Sequence, residues 1–101
     1  CPDCGTILRP DVVLFEEPLP EEAVHRLSRE LEAGFDAVFS IGTSGLFPYI
    51  QQPVIAARRM GIPSVEINPG ETILSPHVDY RLALGAAKAM DAIWKRFLQG
   101  D

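Results

Sequence analysis

Two cysteines stand in the opening run Cys1-Pro2-Asp3-Cys4-Gly5. A C-P-x-C-G turn suits a zinc knuckle, because it lets two thiolates approach one ion while small residues let backbone N–H groups point at the sulfurs. A structural zinc takes four ligands, so this is half a site, and neither His25 nor His77 is placed to complete it. A redox C-x-x-C is a rival reading, but that motif opens a helix after a strand. Here Thr6-Ile7-Leu8-Arg9-Pro10 follows, which is extended and ends at a proline. An inert pair is the third reading. Two thiols without a disulfide framework suit the cytoplasm. Two other short stretches have ligand chemistry. In Ile41-Gly42-Thr43-Ser44, glycine permits close backbone approach and two hydroxyls can hold phosphate or ribose oxygens. In Ile67-Asn68-Pro69-Gly70, Asn68 offers a donor and an acceptor that match a ribose diol. Each also has a plain reading, G-T-S as a helix cap and N-P-G as a turn. No G-x-G-x-x-G and no P-loop is present.

These stretches need elements to position them. Val12-Val13-Leu14-Phe15 is apolar, rich in strand formers and bounded by Pro10 and Pro18, so it reads as a buried strand. Pro20-Glu21-Glu22 opens a helix, with two acids at its positive end. Its stripe is Val24, Leu27 and Leu31, and Gly34 ends it. Asp36–Ile41 is the next strand. A second helix is expected from near Gln52, with Pro53 in its first turn, to Met60, facing inward through Val54 and Ala57, continued by Met60. Pro63–Asn68 is a third strand, Tyr80–Leu84 a short extended piece, and the last helix has Ala86, Met90, Ile93 and Phe97 on one face. Strand and helix alternate as in parallel sheets with right-handed crossovers. Near-continuous apolar strands agree with a sheet covered on both faces. The expected class is α/β, part of a doubly wound, Rossmann-like parallel sheet with helices on both faces. Ligands collect at the carboxyl ends of such strands, where both Gly42–Ser44 and Asn68–Gly70 fall.

Composition narrows the class of partner. Of 101 residues, 47% are hydrophobic and 23% charged, which suits one globular domain. Lys and Arg total 9 against 14 Asp and Glu, a net charge of −5. That balance argues against nucleic acid, which needs a surplus of cations. Apolar runs fall far short of the roughly 18–20 residues that cross a bilayer. The opening residues do not read as a secretory leader.

Taken together, Cys1–Gly5, Leu8–Pro20, Gly42-Thr43-Ser44 and Ile67–Gly70 resemble, in order and spacing, the second half of a bacterial sirtuin, an NAD-dependent protein lysine deacylase. The resemblance implies roles for named positions. Cys1 and Cys4 would be two of four zinc thiolates, making residues 1–10 the second half of a zinc-ribbon module. Residues 11–101 would be the C-terminal part of an NAD-binding domain. Val13, Leu14, Phe15 and Glu16 would form the strand that pairs edge-on with an acyl-lysine protein or peptide, reading mainly backbone. Gly42, Thr43 and Ser44 would contact NAD phosphate and ribose, Asn68 the adenosine ribose, with Pro69 and Gly70 also at the cofactor, and the backbone near Ala87 the adenine. Sirtuins usually have glycine where this chain has Glu16, whose carboxylate would attract a basic substrate segment. The catalytic histidine of the family lies before the cysteines. His25 reads as a surface residue and His77 as structural, and Glu16 and Glu17 point to opposite faces of a strand, which rules out paired acid–base work. The chain alone is therefore expected to be inactive, to need the missing N-terminal half of its domain, and to self-associate through uncovered apolar surface. A non-catalytic nucleotide- or ADP-ribose-binding module is the alternative.

Overall fold

Burial begins late in the chain. The computed structural model describes residues 1–100, and no residue before Ser40 is buried. β1 (Val38–Ile41), β2 (Ser64–Ile67) and β3 (Tyr80–Leu82) form a parallel sheet in the order β1-β2-β3. The register aligns Ser40 with Glu66 and Glu66 with Arg81, and one residue on aligns Ile41, Ile67 and Leu82. Because side chains alternate across a strand, Ser40, Glu66 and Arg81 form a polar row on one face. All three strands run the same way, so their carboxyl ends share one edge.

Three helices flank this sheet: α1 (Glu21–Ala33), α2 (Pro48–Met60) and α3 (Ala86–Leu98). The expected α/β class is the observed one. α2 packs against β1 and β2 and buries Val54 and Ala57, two of the three positions its periodicity marks; the third, Met60, is the last helical residue and stays exposed. It starts four residues before the expected Gln52. Pro48 takes the first helical position, where a missing N–H costs nothing, and Pro53 lies inside the helix. α1 ends at Gly34 as expected but buries none of its residues. α3 buries only Ala89, while Trp94, Phe97 and Leu98 of its apolar face stay more than half exposed. The radius of gyration, 17.1 Å, exceeds the roughly 13 Å of a close-packed chain of about 100 residues, which matches this sparse burial before Ser40.

The first expected strand is absent. Val12–Phe15 has no strand partner, and its side chains are exposed, Phe15 to 87%. β1 pairs only with β2, so no described strand lies beside this segment. Instead it ends in a tight turn, where Glu17 N–H donates to the Leu14 carbonyl at 3.1 Å. Glu16 is the third residue of that turn, with φ +68°. A positive φ there is the type II pattern, which favours glycine, and a side chain at such a position costs about 1 kcal/mol or more. Arg9 fastens the turn by an ion pair to Glu17 at 3.0 Å.

Candidate functional site

The carboxyl edge of the sheet brings the predicted ligand residues together. Gly42 N–H donates to the Ile67 carbonyl at 2.9 Å, extending the β1–β2 ladder by one bond. The chain then turns through Thr43, whose hydroxyl accepts from Gly45 N–H at 3.2 Å. Asn68 lies at the end of the neighbouring strand. Its Nδ2 donates to the Thr43 carbonyl at 3.2 Å and its Oδ1 accepts from Gly70 N–H at 3.1 Å. One side chain thus ties both candidate loops into a single surface. The amide keeps one further N–H and one further lone pair, enough for a diol. The Ser44 hydroxyl is exposed and has no hydrogen bond among the described residues. Pro69 and Gly70 are exposed at the same edge. Ala87, also exposed, is the second residue of α3, so its N–H is one of the four that a helix start leaves unpaired.

Residues that sequence reasoning overlooked hold these loops in place. Gln51 on α2 donates from Nε2 to the Gly45 carbonyl at 2.7 Å. Gly45 itself is buried against Leu74, which is 2% exposed. The loop bearing Leu74 is anchored by Glu66, a carboxylate only 1% exposed in the middle of β2. Thr72 donates its hydroxyl to Glu66 Oε2, and Ser75 donates to Oε1 at 2.5 Å. Each hydroxyl also accepts a backbone N–H of the same loop, Leu74 into Thr72 and Thr72 into Ser75. Arg81 Nε lies 3.4 Å from Glu66 Oε1, an ion pair too poorly aligned to count as a hydrogen bond. A glutamate between Val65 and Ile67, in the middle of a strand, is the sequence signal that marks this anchor.

A second recess opens beside the first loop. Val13, Leu14, Phe15 and Glu16 form one wall of a cleft of about 700 Å³, and Phe47 and Tyr49 form another. Phe47 stacks near Tyr49 with ring centres 5.8 Å apart, and Phe15 lies 6.4 Å from Phe47. Phe47 follows the Gly42–Leu46 loop directly in sequence, so the cleft adjoins the edge where Asn68 and Thr43 meet.

The sequence and the fold both have counterparts among known proteins. The Sir2 family matches residues 1–47. The NAD-dependent protein deacylase 2 of Pseudomonas aeruginosa is 50% identical over 93 residues, which are 92% of this chain and 36% of that protein. The NAD-dependent protein deacylase 1 of Archaeoglobus fulgidus is 42% identical over 94 residues, 92% of this chain and 38% of that protein. A solved Sir2 homologue–NAD complex superposes with a TM-score of 0.82 at 39% identity, covering 99% of this chain and 39% of that one. Residues 1–47 are Sir2-family sequence. The chain spans a little over a third of the length of the curated relatives it matches.

Within the Sir2-matching stretch the two cysteines lie on one turn, closed by Gly5 N–H donating to the Cys1 carbonyl at 3.0 Å. Both are free thiols. Cys4 Sγ is 3.2 Å from the Thr6 hydroxyl, and hydrogen bonding with that hydroxyl and with the Thr6 backbone holds the thiol below its ordinary pKa. A thiolate is what a metal requires, so the donor chemistry suits zinc. Among the described residues no group of three or more Cys, His, Asp or Glu converges on one point, so any further ligands lie outside them. Neither histidine belongs to the edge where the ligand loops meet. His25 is exposed on α1. His77 Nδ1 is taken by Arg58 Nη1 at 2.8 Å. Two residues on, Asp79 accepts from Ser64 N–H at the start of β2, which puts His77 toward the amino edge of the sheet.

Proposed function

We propose that this chain supplies the adenosine-binding loops and the peptide-facing cleft of an NAD-dependent protein lysine deacylase. The observation that supports this most is the Asn68 amide, which joins the Gly42–Ser44 loop to the Asn68–Gly70 loop beside an apolar cleft. The naming of its relatives as NAD-dependent protein deacylases supports the same reading. NAD, when bound, supplies the ribose that accepts the acyl group from lysine. In this assignment the residues of the chain bind and orient. Ser44 and the loop N–H groups meet phosphate and ribose oxygens, Asn68 meets the adenosine ribose with its spare donor and acceptor, and the N–H of Ala87 meets the adenine. Val13–Glu16 lies along an acyl-lysine peptide. Residues 11–101 form the nucleotide-binding part of that enzyme, and the general base comes from outside these residues, since His25 and His77 lie away from the site.

The test is nicotinamide release from NAD in the presence of an acetyl-lysine peptide, by the full-length protein and by the 101 residues alone. Turnover is expected only from the former, and Asn68→Ala should raise its KM for NAD about ten-fold, the effect of losing roughly 1–1.5 kcal/mol of hydrogen bonding. Turnover by the isolated chain would overturn the assignment of the base, and tight ADP-ribose binding without any turnover would favour a non-catalytic module.

Residues 1–10 are proposed as part of a zinc module, with Cys1 and Cys4 as two of its four ligands. Elemental analysis of the full-length protein is expected to find one zinc per chain, lost in a Cys1→Ser, Cys4→Ser double variant. Metal content unchanged by the double substitution would remove the cysteines from the site.

A further inference from the structure

The cleft beside the Gly42–Leu46 loop has an uneven lining. Its walls are apolar and aromatic, from Val13, Leu14, Phe15, Phe47 and Tyr49, while its acidic residues are Glu16 and Glu17. The two acids differ in one respect. Glu17 is neutralised, paired with Arg9 at 3.0 Å and accepting from Leu14 N–H at 3.2 Å. Glu16 is exposed, and among the described residues its carboxylate has no hydrogen bond and no ion pair. An unpaired anion on the lip of an aromatic recess suits one kind of ligand group, an alkyl stem that ends in a cation. The stem covers apolar surface, the cation meets the faces of the rings, and the carboxylate completes its pairing. A phosphate or carboxylate would meet the wrong charge on a chain that already totals −5.

We propose that Glu16 selects peptides with a lysine or arginine side chain close to the acylated residue, seating that side chain in the Phe15–Phe47–Tyr49 cleft. The proposal rests on the deacylase reading above and adds a sequence preference to it. The backbone turn at Leu14–Glu17 fixes where the carboxylate stands, and Arg9 removes the competing charge of Glu17. Selectivity therefore comes from one side chain.

The experiment is fluorescence anisotropy with the full-length protein and two labelled acetyl-lysine peptides. They are identical except for arginine or glutamine two residues from the acetyl-lysine. The unmodified protein is expected to prefer the arginine peptide about five-fold, the upper end for an exposed ion pair. Raising the salt from 0.1 to 0.5 M should shrink that ratio. In Glu16→Gln the ratio should fall to about one, and again in Glu16→Gly, which suits the positive φ. A ratio that survives both substitutions overturns the proposal, and so does equal binding of the two peptides by the unmodified protein. If neither peptide binds, the deacylase reading fails and takes this proposal with it, whereas binding without charge preference overturns the proposal alone.

Discussion

Replacing Glu66 by alanine is expected to lower the unfolding free energy by about 3 kcal/mol, a large share of a typical domain's stability. The carboxylate is 1% exposed and is the acceptor for both Thr72 and Ser75. Removing it leaves two half-buried hydroxyls without their acceptor, and an unmet buried donor costs about 1–3 kcal/mol. A cavity adds to this, while relief from burying a charge subtracts. Arg81 adds to the loss, because its buried Nε, which makes no hydrogen bond, loses its ion-pair partner. Glu66→Gln separates the two components. Its amide can accept from one hydroxyl and donate to the other, so the loop stays fastened while the charge is lost, and a cost of about 1 kcal/mol is expected. Urea unfolding measures both through the midpoint at unchanged slope. If Glu66→Gln proves as damaging as Glu66→Ala, the ion pair with Arg81 holds the loop rather than the hydroxyls. A loss below about 0.5 kcal/mol for alanine would mean that the anchor contributes nothing.

How much of this was readable from the sequence depends on the range of the interaction. β2, α2 and α3 follow from local patterns: a short run with Val65 and Ile67 bounded by Pro63 and Pro69, the Val54–Ala57 spacing, and a long amphipathic stretch before Gly100. Ligand loops at strand ends follow from the parallel topology those elements imply, and Gly42, Thr43 and Asn68 do meet there. Val12–Phe15 shows the limit. Strand propensity measures fit to a half-buried pleated surface, and this segment has no neighbouring strand to supply one. The start of α2 failed for a different reason. Proline at a first helical position is a sound rule, but Pro48 and Pro53 both satisfy it, and the residues beyond each do not distinguish them. The supports of the site were least legible. Glu66 with Thr72 and Ser75, Gln51 with Gly45, and Leu74 against Gly45 are contacts between residues 6 to 29 positions apart, with no periodicity to announce them.

Gly45→Ala is the second large expected effect, a loss of about 2–4 kcal/mol from two separable causes. Gly45 has φ +69°, where a Cβ costs about 1–2 kcal/mol for any L-residue. That Cβ would also stand 2.6 Å from Leu74 Cγ and 2.8 Å from its Cδ1. Cγ is close to the backbone, so it cannot swing aside without Leu74 leaving its rotamer, and Leu74 is packed at 2% exposure. The collision pushes the Gly42–Leu46 loop away from the loop bearing Leu74, so the KM for NAD of the full-length protein should rise together with the loss of stability. A double-mutant cycle divides the causes. Leu74→Ala alone should cost about 2–5 kcal/mol through the cavity it leaves. In the double variant the alanine at position 45 finds open space, so the clash disappears while the backbone strain remains. The pair should then cost at least about 1 kcal/mol less than the sum of the singles. Strict additivity would mean that the glycine is needed only for its backbone conformation. Leu74 would then have no part in shaping the loop that carries Thr43 and Ser44.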